Sequence, residues 1–170
     1  QPGRRYHVNQ LVVPSPLITG MMNLKPGVKI IPDDFVVTPD AVHWLRSRLY
    51  RKHTEPPTQC YYLPRRQAHM RHLLNEDEVD ELLKGYNFTY LQPEQMSLAE
   101  KQTVFSQAKV IMHLGGSGSM NMLFAPPSTT FISSSTLVNA DSTWTNDMMR
   151  FSDQQLIEVQ AIPDLSNKTT

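Results

Sequence analysis

His113 to Asn121 read HLGGSGSMN directly after the apolar run AKVIM, so five consecutive Gly and Ser residues stand where a strand ends. Small residues let a backbone turn tightly and approach a partner closely. A helix that opens at such a turn presents unsatisfied amide groups, and these favour an anion. The turn therefore suits a phosphate cradle, and it suits equally well a plain close-packing turn between helix and sheet. It is not a dinucleotide fingerprint, because Asn121 stands where the third glycine belongs. No Lys-Ser or Lys-Thr pair follows, which excludes a P-loop. A hydrolase elbow at Ser117 fails as well: Ser119 replaces the second glycine, and all six histidines precede the serine that they would have to follow.

The second chemical feature is the basic segment PRRQAHMRH, residues 64 to 72. Arg65, Arg66 and Arg71 carry permanently charged forks that match phosphate oxygens bidentately. The same residues also read as a solvated charge run balanced by the neighbouring NEDEVDE. His69 and His72 lack the further ligands of a closed metal site, so they are read as surface. Asn75 with Glu78, and Ser97 with Glu100, have capping-box spacing, which accounts for them without chemistry. Met112, Met120 and Met122 around the turn read as core filler.

These features need a scaffold. One hundred and seventy residues suit one domain with a single core. An apolar share of 39% and 13 prolines point to long ordered connections, chiefly near the start. Sixteen basic and sixteen acidic residues cancel, which excludes a global field for nucleic acid or membrane. The lone Cys60 excludes an internal disulfide and a zinc cluster. No apolar stretch reaches the roughly 20 residues of a membrane span, and no signal-peptide pattern opens the chain. Its start at Gln1 leads us to expect part of a longer protein.

Residues 1–55 form a proline-rich lead-in with a strand at Gln10 to Val13 and a helix carrying Val42, Leu45 and Leu49, capped by Asp40. From residue 56 to 170 strands and helices alternate. Strands are expected at 59–63, 88–92, 109–114, 129–134 and 156–162. Between them come a helix from Asn75 that stops at Gly85, one over 97–108, and a short one over 119–125. The strands are continuous apolar runs, which argues for a Rossmann-like parallel sheet with helices on both faces. In such sheets ligands bind beyond the carboxyl ends of the strands, where both the Gly/Ser turn and the basic segment fall.

Three segments, YYLPRRQAHMRHLLNEDEV, MSLAEKQTVFSQAKVIM and GGSGSMNMLFAPPSTT, occur in the order and spacing of glycosyltransferase family 61, and residues 56 to 134 resemble it well. That resemblance implies the nucleotide-sugar-binding half of a GT-B enzyme. The chain would then be the donor-binding portion of an inverting, metal-independent hexosyl- or pentosyltransferase in polysaccharide biosynthesis. Its partners would be a nucleotide sugar and a glycan or glycoconjugate acceptor, with no cofactor, no metal, no nucleic acid and no membrane segment. The location would be cytoplasmic in a bacterium, and the Golgi or endoplasmic reticulum lumen in a eukaryote. The family's arginines map to Arg65 and Arg71, its Asn-Glu pair to Asn75-Glu76, and its small-residue turn to Gly115, Gly116, Ser117, Gly118, Ser119 and Asn121. Many members carry His-Gly-Ala at that turn, where this chain has Gly115-Gly116-Ser117, and His113 two residues earlier is the catalytic candidate. The family's Glu-Gln pair reads Glu100-Lys101, and the Glu often found at the end of the following strand is Ser133. The competing reading is a non-catalytic nucleotide- or glycan-binding module derived from such an enzyme.

Overall fold

The computed structural model describes residues 10, 18–20, 35–65, 73–136 and 142–162. The expected strand at Gln10 to Val13, apart from Gln10, lies outside these residues, and so do 66–72 of the basic segment. A short antiparallel pair, β1 (Ile18–Gly20) and β2 (Phe35–Val37), precedes α1 (Pro39–Leu49). Among the described residues five further strands form one all-parallel sheet: β3 (Gln59–Leu63), β4 (Phe88–Tyr90), β5 (Ala108–His113), β6 (Thr130–Thr136) and β7 (Gln155–Ala161). Their order is β4-β3-β5-β6-β7. The strands are joined in turn by α2 (Glu76–Gly85), α3 (Leu98–Phe105), a 3-10 helix (Gly116–Leu123) and α4 (Ser142–Arg150). This is the α/β, Rossmann-like arrangement expected. No helix of the described residues is long and apolar enough to cross a membrane.

Continuous apolar runs suit strands that are buried on both faces, and successive side chains here feed two cores. Tyr61, Leu63, Ile111 and Phe131 join Val42 of α1, Phe105 of α3, Met122 of the 3-10 helix and Met148 and Met149 of α4. Tyr62 and Leu114 join Leu83 of α2 on the other side, with Val79, Phe88, Tyr90 and Met112 packed around them. Helix α1, which the sequence places in the lead-in, thus contributes to the larger core.

Local signals governed some ends and missed others. Helix α1 opens at Pro39, with Thr38 in the N-cap position and not the expected Asp40 two residues later. Thr38 makes no side-chain capping bond, and proline's fixed φ suits the first helical position, so the helix starts earlier. Asn75 does stand before α2, but its amide donates to Glu78 Oε2 (3.2 Å) and no backbone amide is capped, so the expected capping box is absent. Gly85 is the last helical residue, and the left-handed position belongs to Asn87 (φ 58°), a residue type whose short polar side chain tolerates it. The box at α3 is complete: Glu100 N–H donates to Ser97 Oγ (3.3 Å) and Ser97 N–H to Glu100 Oε2 (2.7 Å). That helix ends at Phe105, because the Ser106-Gln107 turn is needed to deliver Ala108 to β5. Helix α4 was not expected; its signal is thin, namely Thr145, Met148 and Met149 buried at helical spacing.

These differences predict unequal caps. Ser97→Ala should lower the unfolding free energy by about 1 kcal/mol. Asn75→Ala should cost only a small fraction of that, since no amide loses its partner. Urea denaturation of both variants checks the ranking, and equal losses would show that Asn75 caps after all.

Candidate functional site

From β3 the chain moves to β4 on one side, while β5 lies on the other, so the strand order reverses between β3 and β5. Ligands of open parallel sheets bind at such a switch point, beyond the carboxyl ends. Leu63 and His113, the last residues of β3 and β5, are register partners there. A cleft of about 770 Å³ opens at this point, within the usual size range of small-molecule sites. Leu63, Pro64 and Arg65 line it from the exit of β3, and His113, Leu114 and Gly115 from the exit of β5. Gly118 and Asn121 of the 3-10 helix line it too, together with Gln92, Glu94 and Lys101 from the segment between β4 and β5.

Gly115 organises the centre. Its backbone (φ 71°, ψ −174°) lies in a region open in practice only to glycine. Held there, its N–H donates to His113 Nδ1 (3.1 Å) and its carbonyl accepts from Arg65 Nη1 (3.2 Å). Gly116 is also left-handed (φ 70°), and the two glycines reverse the chain so that the helix can begin at once. Gly118 is not left-handed; a Cβ there would meet His113 Cβ at 3.8 Å, so its role is close helix–sheet approach. Ser119 Oγ donates to the Gly116 carbonyl and Asn121 Nδ2 to the Gly118 carbonyl, both at 2.9 Å, tying the first turns to themselves.

The far end of this helix is anchored from two other elements. Arg46 of α1 donates to the carbonyls of Met122 (2.7 Å) and Ala125 (3.0 Å). Gln154, just before β7, donates to the same two carbonyls and to that of Pro126. Burial disfavours the charge of Arg46 and lowers its pKa, and the carbonyls and dipole at a helix C-terminus offset part of that cost.

His113 is 2% exposed, with its ring edge-on to Phe131. Burial lowers its pKa to about 4, and the positive charge of Arg65 acts in the same direction. Accepting an N–H at Nδ1 requires the lone pair that a protonated ring lacks, so the neutral form carries its proton on Nε2. That Nε2 is buried and has no hydrogen-bond partner among the described residues.

Of the residues read from sequence as a site, Arg65, His113, Gly115, Gly118 and Asn121 meet on the cleft. Gly116 and Ser119 do not line it, and Ser119 is buried. Ser117 contributes backbone to the 3-10 helix. Arg71, with Arg66, His69 and His72, lies outside the described residues. Gln92, Glu94 and Lys101 were not singled out as site residues, although the cap at Ser97 signals that α3 starts where β4 delivers the chain to this edge. Among the described residues no three His, Cys, Asp or Glu side chains gather as a metal site.

The model of the glycosyltransferase 61 family matches residues 6–132, which include β3, β4, β5, the Gly/Ser turn and the whole cleft. A search of curated proteins gave no match.

Proposed function

The chain belongs to the glycosyltransferase 61 family, and from that premise we propose that it is the donor-binding half of a GT-B-type, inverting enzyme that moves a sugar from a nucleotide sugar to a glycan hydroxyl. One observation carries the reading: Arg65, the Gly115 turn and the start of the 3-10 helix converge on a cleft at the sheet's switch point. Among the described residues two cations, Arg65 and Lys101, line that cleft against one carboxylate, Glu94, a balance that suits a diphosphate. As the glycosidic bond to the leaving group breaks, negative charge grows on the phosphate oxygens. In this reading Arg65 and the first amides of the helix, Gly116 to Ser119, meet that charge; Arg65 and Gly118 line the cleft. Arg71 is proposed as a second fork on the family resemblance alone.

The acceptor hydroxyl must also lose its proton. His113 is ill suited to take it, because the ring stays neutral with the proton already on Nε2. A non-catalytic nucleotide-binding module is the second reading. It is favoured by Ser133, which pairs in register with His113 at the position where many relatives carry a carboxylate. Turnover of a nucleotide sugar by the full-length parent separates the two.

Calorimetric titration with a panel of nucleoside diphosphates tests the donor site itself. Arg65→Ala should weaken binding by roughly 1.5–3 kcal/mol, the worth of a charge-assisted bond. Its effect on folding should be slight, since a partly exposed arginine contributes little. Unchanged affinity would return the arginine to a solvated charge.

The sequence has no Asp-x-Asp pair, and fixed positive groups can replace an ion on the diphosphate. Affinity is accordingly expected to survive excess chelator and to fall with rising salt. Binding that disappears in chelator and returns with manganese would overturn the metal-independent part of the proposal.

A further inference from the structure

We propose that His113 serves the donor site as a fixed hydrogen-bond donor, its Nε2–H binding an oxygen of the leaving diphosphate, and does not act as a base. The inference rests on the donor-site reading above and adds the role of one residue to it. Neutral imidazole has one donor and one acceptor nitrogen. Here the acceptor is spoken for: the Gly115 N–H lies 3.1 Å from Nδ1. The donor, Nε2–H, is buried without a partner among the described residues, and buried polar groups in folded proteins almost always have one. His113 ends β5 and is one of the residues lining the cleft, so the missing partner is an acceptor brought by the ligand.

The charge around it selects the kind of acceptor. Arg65, Lys101 and Glu94 are the charged groups lining the same cleft among the described residues. Arg65 is tied to the same residue as the imidazole, donating to the Gly115 carbonyl at 3.2 Å. An oxygen within reach of Nε2 therefore lies in the field of Arg65, which favours a phosphate oxygen over a neutral sugar hydroxyl. Nε2 is buried in the free chain, so the contact forms as the ligand enters. The ring meets Phe131 edge-on, and on the side of the turn Gly115, whose N–H holds Nδ1, brings no side chain against it.

Because no protonation change is involved, this contact is present throughout the neutral range, unlike a histidine that must charge to hold an anion. Nitrogen-15 NMR of the free wild-type protein should show Nε2 protonated and Nδ1 bare, with the Nε2–H signal shifting on addition of inorganic pyrophosphate. In calorimetry, His113→Phe should bind pyrophosphate and nucleoside diphosphates about tenfold more weakly, the loss of one hydrogen bond to a charged group. His113→Gln keeps an amide donor near the Nε2 position and should recover most of that affinity. The ratio of wild-type to His113→Gln affinity should stay constant from about pH 7.5 to about pH 5.5, where neither donor titrates. A proton on Nδ1, wild-type affinity in His113→Phe, or a ratio that rises steeply on acidification would each overturn the inference. Failure of the wild-type protein to bind any of these diphosphates would instead sink the donor-site reading on which it stands, whatever the tautomer.

Discussion

Gly115→Ala is expected to cost about a hundredfold in nucleoside diphosphate affinity. The added Cβ is not blocked by a neighbour: the nearest atom it would meet is the Ser134 carbonyl oxygen at 3.7 Å, an ordinary contact. The cost is in the backbone. At φ 71° and ψ −174° an alanine is strained by roughly 1–3 kcal/mol, and the turn relieves that strain by rotating away. Rotation moves the N–H that fixes His113 and the carbonyl that holds Arg65, so both side chains lose their positions together. Gly85→Ala provides the control. That glycine is helical with open space around it, and alanine there should stabilise the fold by up to about 1 kcal/mol while leaving binding alone. Calorimetric titration of the two variants, with circular dichroism to confirm folding, reads the contrast. Equal binding by Gly115→Ala and wild type would mean that the turn does not shape the site.

Acidification is expected to destabilise the fold through His113 by roughly 3 kcal/mol in all. The folded-state value, lowered to about 4, lies below the ordinary 6.5 that the unfolded chain recovers. As pH falls, the unfolded state therefore takes up the proton first, and protonation favours unfolding. The stability in question is intact above pH 6.5, is lost between 6.5 and about 4, and declines no further once both states are charged. Little is subtracted for solvent screening, because the ring is 2% exposed. Urea unfolding at about pH 7.5 and about pH 5 should show wild type losing roughly 2 kcal/mol more than His113→Gln, which has nothing to titrate there. Parallel losses in the two proteins would mean that the imidazole is protonated readily in place, and would remove the burial on which its donor role depends.

Much of this scaffold was legible because its causes are local. Gln59–Leu63 was read to the residue, since QCYYL is apolar, β-favouring and bounded by PPT and Pro64. The box at Ser97 was legible because two side chains three residues apart need only each other and the backbone between them. The position of the Gly/Ser turn and of Arg65 at one edge followed from strand direction, because every strand of a parallel sheet delivers its end to the same side.

What the sequence could not decide is what depends on distant neighbours. Asn75 has the same box spacing as Ser97, yet its amide turns to Glu78; the choice between two nearly equal local bonds falls to the surroundings. Helix α4 went unseen because STWTNDMMR is mostly polar, and burial of Met148 and Met149 exists only once the sheet is assembled. Lys101 and Gln92 reach the cleft because β4 lies beside β3 and not beside β5, and no local pattern encodes that order. Arg46 reads as a surface charge on a helix until the 3-10 helix presents two carbonyls to it, 76 and 79 residues away. The tautomer of His113 was equally out of reach. It is set by one backbone N–H whose direction depends on the left-handed turn, and a sequence lists the glycine without the angle. Local propensity and periodicity thus placed the elements and the chemical types, while strand order and burial, which are collective, chose which of them meet.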